Sequence, residues 1–178
     1  MLASLIAAAI AFSTPPANVT AQAESVCDII GADLPSTCTC TPQAAGGTLD
    51  CKVTVPLVSD SVEVIATLSP CATPASMAAE VKESAKSIDF KTSAKLPQTA
   101  EIPIPDLNYP LPAVGTVGAN LAVKLAGSLS ALGMSLGFDV CLGSSTCGTD
   151  LPIPFGNPFP LWLLQGTYDF TSVCSKVD

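Results

Sequence analysis

Histidine and arginine are both absent from this chain, and charged residues make up only 12% of it. Without histidine there is no Ser-His-Asp triad, no Cys-His nucleophile pair and no imidazole base. Without arginine, and with a net charge of −8, the chain is a poor ligand for nucleic acid or anionic lipid headgroups, which are bound through cationic contacts. Aromatic residues are 5% of the sequence, too few for the sugar-stacking cleft of an ordinary glycosidase. No C-x-x-C pair or histidine supports a zinc site, and no D-x-D-x-D loop with a following glutamate supports calcium. Gly115-x-x-Gly118 and Gly133-x-x-x-Gly137 lack the strand–turn–helix setting of a nucleotide-binding loop. Paired carboxylates, for instance Asp60 with Glu63, are the one catalytic route left open, and lone surface acids are the simpler reading. The expectation is a protein that is not an enzyme and carries no cofactor or metal.

What is present is cysteine, in an arrangement that indicates the compartment. Met1–Phe12 is an uncharged apolar run, followed by a polar stretch and an Ala21-x-Ala23 cleavage pattern before Glu24. Residues 1–23 are therefore expected to be a signal peptide, too short in its apolar part to span a bilayer. The sequon Asn18-Val19-Thr20 would leave with it. No later run is long enough to span a membrane, so the expectation is a secreted, extracellular protein with one domain over residues 24–178. Behind the leader stand Cys27, Cys38, Cys40, Cys51, Cys71, Cys141, Cys147 and Cys174. An even number in an exported chain predicts four disulfides, for which the spacing alone allows 105 pairings. Cys38 and Cys40 flank one residue and are expected to bond to different partners. Residues 24–50 are expected to form a compact knot with little regular structure. Cys51 with Cys71 is a candidate pair.

Apolar periodicity predicts strands. Cys51, Val53, Val55 and Leu57 alternate with polar residues, as do Val62, Val64, Ala66 and Leu68, which suggests a hairpin through Ser59-Asp60. Thr73 as cap, Pro74 at the first position and a stripe of Met77, Val81, Ala85 and Ile88 predict a helix packed on the sheet. The lysines and acids interspersed there, Lys82, Lys86, Lys91 and Lys95 with Glu80, Glu83 and Asp89, read as its solvated face. Two proline-alternating stretches, Ile102–Pro112 and Leu151–Asn157, suit loops or sheet edges blunted against aggregation. Residues 119–141 fit either a leucine-striped helix or two strands. Gly127, Gly133 and Gly137 favour a hairpin turning near Gly127-Ser128, since each costs a helix about 1 kcal/mol relative to Ala. Pro160–Val173 is expected as a further strand pair. The fold class is thus mainly β, an antiparallel disulfide-bridged domain with one amphipathic helix on the sheet.

Five aromatics, Phe155, Phe159, Trp162, Tyr168 and Phe170, crowd around an apolar run Leu161–Leu164. Simple burial, a pocket wall and an exposed patch all fit that run. Together with the helix stripe it supplies the candidate ligand-binding residues: Met77, Val81, Ile88, Phe155, Phe159, Trp162 and Leu164. The first functional expectation is a secreted carrier of an apolar ligand such as a lipid, fatty acid or sterol. The second is an extracellular structural or protein-interaction module of a cell surface, wall or matrix. A protease inhibitor, with the Cys141–Cys147 interval as its loop, is a third.

Overall fold

The computed structural model describes residues 25–176, apart from 57, 59, 112–113, 144–145 and 154–156. The expected leader and Phe155 lie outside the described residues. Two antiparallel sheets follow one another along the chain. The first is a meander of β1 (Cys38–Gln43), β2 (Gly46–Val55), β3 (Asp60–Ser69), β4 (Ser76–Glu83) and β5 (Ile88–Lys95). The second is built from β6 (Gln98–Leu111), β7 (Gly115–Ser128), β8 (Ala131–Leu142) and β10 (Leu161–Tyr168), in the order β10-β8-β7-β6. The two-residue β9 (Thr146–Cys147) extends it beside the end of β8. Short helices α1 (Val26–Ile30) and α2 (Thr171–Cys174) stand near the two ends of the described chain.

Alternation explains the layers. Val62, Val64, Ala66 and Leu68 of β3 and Val117, Ala119, Leu121, Val123 and Leu125 of β7 are all buried, and one hydrophobic cluster contains residues from both sheets. Fully burying each such valine or leucine contributes about 1.5–3 kcal/mol. Ser25 caps α1 and accepts from the Asp28 amide, while Asp28 accepts from the Ser25 amide at 2.9 Å. That reciprocal box lets a five-residue helix hold Val26 and Ile30 in the core. All eight cysteines are paired, as Cys27–Cys40, Cys38–Cys51, Cys71–Cys174 and Cys141–Cys147.

The mainly β, antiparallel, disulfide-bridged class is what the structure shows, with several departures in detail. Residues 73–88 do not form the amphipathic helix. They contain β4, and Met77, Ala79, Val81 and Glu83 face inward at period two. A spacing of four satisfies both a helix and a strand, so Met77 and Val81 fit either, and the small Ala79 gave no apolar signal. The solvated charges lie on a strand face instead, where Glu80 stands opposite Lys91 and Lys82 opposite Asp89. The turn after β4 is closed by Glu83, whose carboxylate accepts from the amides of Ala85 and Lys86.

Cys51 does not pair with Cys71. In the β2–β3 register Cys51 faces Val64, well inside the ladder, while Cys71 lies beyond the end of β3. Cys38 stands opposite Cys51 on the other side, at a Cα separation of 4.0 Å, and takes the bridge. Cys38 and Cys40 do bond to different partners. Regular structure begins within residues 24–50, as α1, β1 and the start of β2. The tail contributes one strand rather than a pair, followed by α2. The 119–141 segment is the hairpin β7–β8, turning between Ser128 and Ala131. Proline-rich β6 is an edge strand, paired to β7 alone, and its register shifts between Pro103 and Asn108, where Asp106 adopts φ 62°.

Candidate functional site

The apolar residues nominated from the sequence are divided among different places. Met77 and Val81 are buried on the inner face of the first sheet, and Ile88 is partly buried at the start of β5. Phe159 and Leu164 are buried in the common core. Among the described members of this set, only Trp162 is exposed, at 40%. The reason is a register shift in β10 between Trp162 and Leu164, which leaves both Leu163 and Leu164 buried and places Trp162 on the outer face. The apolar run is therefore mostly core, with one aromatic ring released from it.

That ring belongs to a site made by four strands of the second sheet. The pairing register aligns Glu101 of β6, Ala122 of β7, Gly137 of β8 and Trp162 of β10 in one row across the outer face. A parallel row holds Thr99, Lys124, Ser135 and Gln165. A third holds Pro103, Asn120 and Asp139. In the middle row Ala122 is small and Gly137 lies beneath the indole, so the floor is low over Ala122, between Glu101 and the ring. Those two stand three strand spacings apart, about 14 Å at ~4.8 Å per strand. The result is an open groove of about 530 Å³, lined by residues of all four strands. The indole lies over Gly137, where a Cβ would come within 2.8 Å of Cε3 and 3.1 Å of Cζ3. Glycine is required there by that close approach.

Electrostatics in the groove are local. Partial burial, with added repulsion from Asp139, raises the Glu101 carboxyl pKa to about 7 although the residue is otherwise exposed. Asp139 is 3% exposed, and burial holds its pKa above the ordinary aspartate value, opposed by hydrogen bonds from the Val140 and Gly148 amides. Lys124 supplies a cation in the adjacent row. The outer face of the first sheet is different, because Lys52, Glu63, Lys82 and Asp89 align in one cross-strand row of alternating, balanced charge. Asp60 pairs with Lys86 at 3.5 Å, and Lys86 also sits 4.0 Å from the centroid of Tyr109. Burial, with Asp60 nearby, pushes the Tyr109 hydroxyl pKa well above the ordinary tyrosine value. Asp60 and Glu63 are three residues apart on β3, so alternation directs them to opposite faces.

Sequence reasoning nominated Trp162 but not Glu101, Ser135, Gln165, or the small Ala122 and Gly137. The polar and small face of β8, Gly133, Ser135, Gly137 and Asp139, was legible as a pattern. Which residues of β6, β7 and β10 stand beside it is a matter of register, and no local pattern encodes that. Among the described residues no group of three or more acids or cysteines is placed to hold a metal, and no helix is long and apolar enough to cross a membrane. No protein-family model matches the chain, and neither a curated protein nor a solved structure matches it.

Proposed function

We propose that this protein is a secreted, non-enzymatic recognition module that contacts its extracellular partner through the outer face of the second sheet. The observation that carries this reading is Trp162, exposed over Gly137 on a face whose other side chains leave an open groove. Exposed tryptophan is a concentrated source of binding energy, and it is enriched where surfaces recognise partners. Export is supported by four disulfides, which persist in oxidising compartments. The non-enzymatic part is supported by chemistry: histidine is missing from the sequence, and no described cysteine is free. The test is retention of the full exported chain on the extracellular or wall material of its own producing cells. Wild type should be retained and Trp162→Ala released, with unchanged circular dichroism; equal retention of both would reject this face as the contact.

A carrier for a lipid, fatty acid or sterol is the second reading. The observation favouring it is the continuous aliphatic interior, in which Met77, Met134, Leu125 and Leu136 lie in one cluster. It requires the sheets to part around the ligand. Organic extraction of the purified protein followed by mass spectrometry decides it, since a carrier yields a stoichiometric lipid and a recognition module yields none.

A further inference from the structure

We infer that the groove between Glu101 and Trp162 is a binding site for an uncharged oligosaccharide, its ring stacked on the indole and its hydroxyls bonded by the flanking polar side chains. This deepens, and rests on, the reading of the second sheet's outer face as the contact surface. Three observations carry it. The first is the platform. Trp162 packs on the bare backbone of Gly137 and is 40% exposed, so the sheet supports an aromatic residue that remains accessible from solvent.

The second is the chemistry of the surround. Thr99, Glu101, Ser135 and Gln165 offer hydroxyl, carboxyl and carboxamide groups, a mixture of donors and acceptors that matches vicinal hydroxyls. A lipid pocket would be walled by large aliphatic side chains, and an anion site would need more cations than Lys124. The volume of about 530 Å³ falls in the range of small-ligand sites, and its open form suits a chain that continues beyond the bound units.

The third is available polarity. Ser135 is 9% exposed and Asn120 8% exposed, both on this face, and among the described residues neither side chain has a hydrogen-bond partner. Neither is among the described buried atoms left unpartnered, so their polar atoms still reach solvent and stay open to bond an external group beside the indole.

The chain contains one tryptophan, so intrinsic emission reports this groove directly. The full exported protein would be titrated with cello-, xylo-, manno-, laminari- and chitohexaose, followed by Trp162 fluorescence and by calorimetry. At least one is expected to shift the emission saturably. Gln165→Ala and Ser135→Ala, which leave the platform in place, are each expected to weaken binding about tenfold, and Trp162→Ala to abolish the calorimetric signal. Trp162→Phe keeps Gly137 covered and should retain weakened binding, which guards against misfolding as the cause. No response to any of the five at millimolar concentration would overturn the inference, as would binding that ignores Gln165 and Ser135. If saccharides fail while retention on extracellular material still depends on Trp162, only the ligand class falls. If retention is also indifferent to Trp162, the recognition surface itself is misplaced. Cleavage of a bound hexaose would instead convict the non-enzymatic reading.

Discussion

Cys71, just past the end of β3, is bonded to Cys174 in α2, and 103 residues separate them. The bridge ties the connection within the first sheet to the segment that follows the last strand of the second. Its position shows how the two sequential halves are held in one body, since the chain between the sheets is a single crossing at residues 96–97.

Loop length separates the bridges energetically. Replacing Cys71 and Cys174 together by serine is expected to cost about 4–5 kcal/mol, because cross-linking a loop of about a hundred residues removes that much unfolded-chain entropy. The Cys141–Cys147 pair closes six residues, and its removal should cost about 2 kcal/mol. Urea denaturation of the two double variants tests the ordering, and a larger loss for the short bridge would contradict it.

Ala79 distinguishes a strand from a helix over residues 76–83. It is 5% exposed and stands opposite Ala66 of β3. Ala79→Lys buries a charge and should destabilise by more than about 4 kcal/mol or prevent secretion. In a helix striped by Met77, Val81 and Ala85 the same position would point to solvent, and the substitution would be nearly neutral. Thermal unfolding of the variant gives the answer.

The β7–β8 turn depends on Gly127. Its φ is +105°, and an added Cβ would meet the Ala131 carbonyl oxygen. Gly127→Ala combines backbone strain with a clash that no side-chain rotation relieves, so about 2–3 kcal/mol should be lost. Lys124→Ala, on the exposed side of the same strand, should change stability by less than about 0.5 kcal/mol.

Acidity should stabilise the folded protein through Glu101. Folded, it keeps its proton up to about pH 7, whereas the ordinary glutamate value is 4.5. Between those values the native state binds more protons than the unfolded chain, so stability falls as pH rises through that window. Asp139, raised by burial, acts with the same sign. Asp28, Glu80 and Asp169 are held below their ordinary values by hydrogen bonds, from Ser25, Lys82 and Thr171 respectively, and their contribution is lost only as pH falls further into the acid range. Denaturant midpoints from pH 4.5 to 8 should decline in wild type, and Glu101→Gln should flatten that decline. A midpoint that rises across the window in wild type would contradict the assignment.

Much of the architecture was readable locally. The β2 and β3 alternation, the glycines that turn 119–141 into a hairpin, and the prolines that confine β6 to an edge are each set by backbone preference and side-chain period. The segment 73–88 misled because its apolar residues recur at a spacing common to both periods, and its proline and charges suited a helix start. The apolar run Leu161–Leu164 was ambiguous for a different reason. A single irregularity in β10 decides which of its side chains turns outward, and only the neighbour β8 imposes it.

Composition, cysteine count and apolar alternation together determined an acidic, disulfide-rich, mainly β chain without imidazole chemistry. Tertiary structure decided which cysteines bond, which leucines are core and which small residues form a floor beneath Trp162. Backbone preferences act over a few neighbours, whereas register sets residues from four separate strands side by side, and that choice is made by packing the whole sheet against its core.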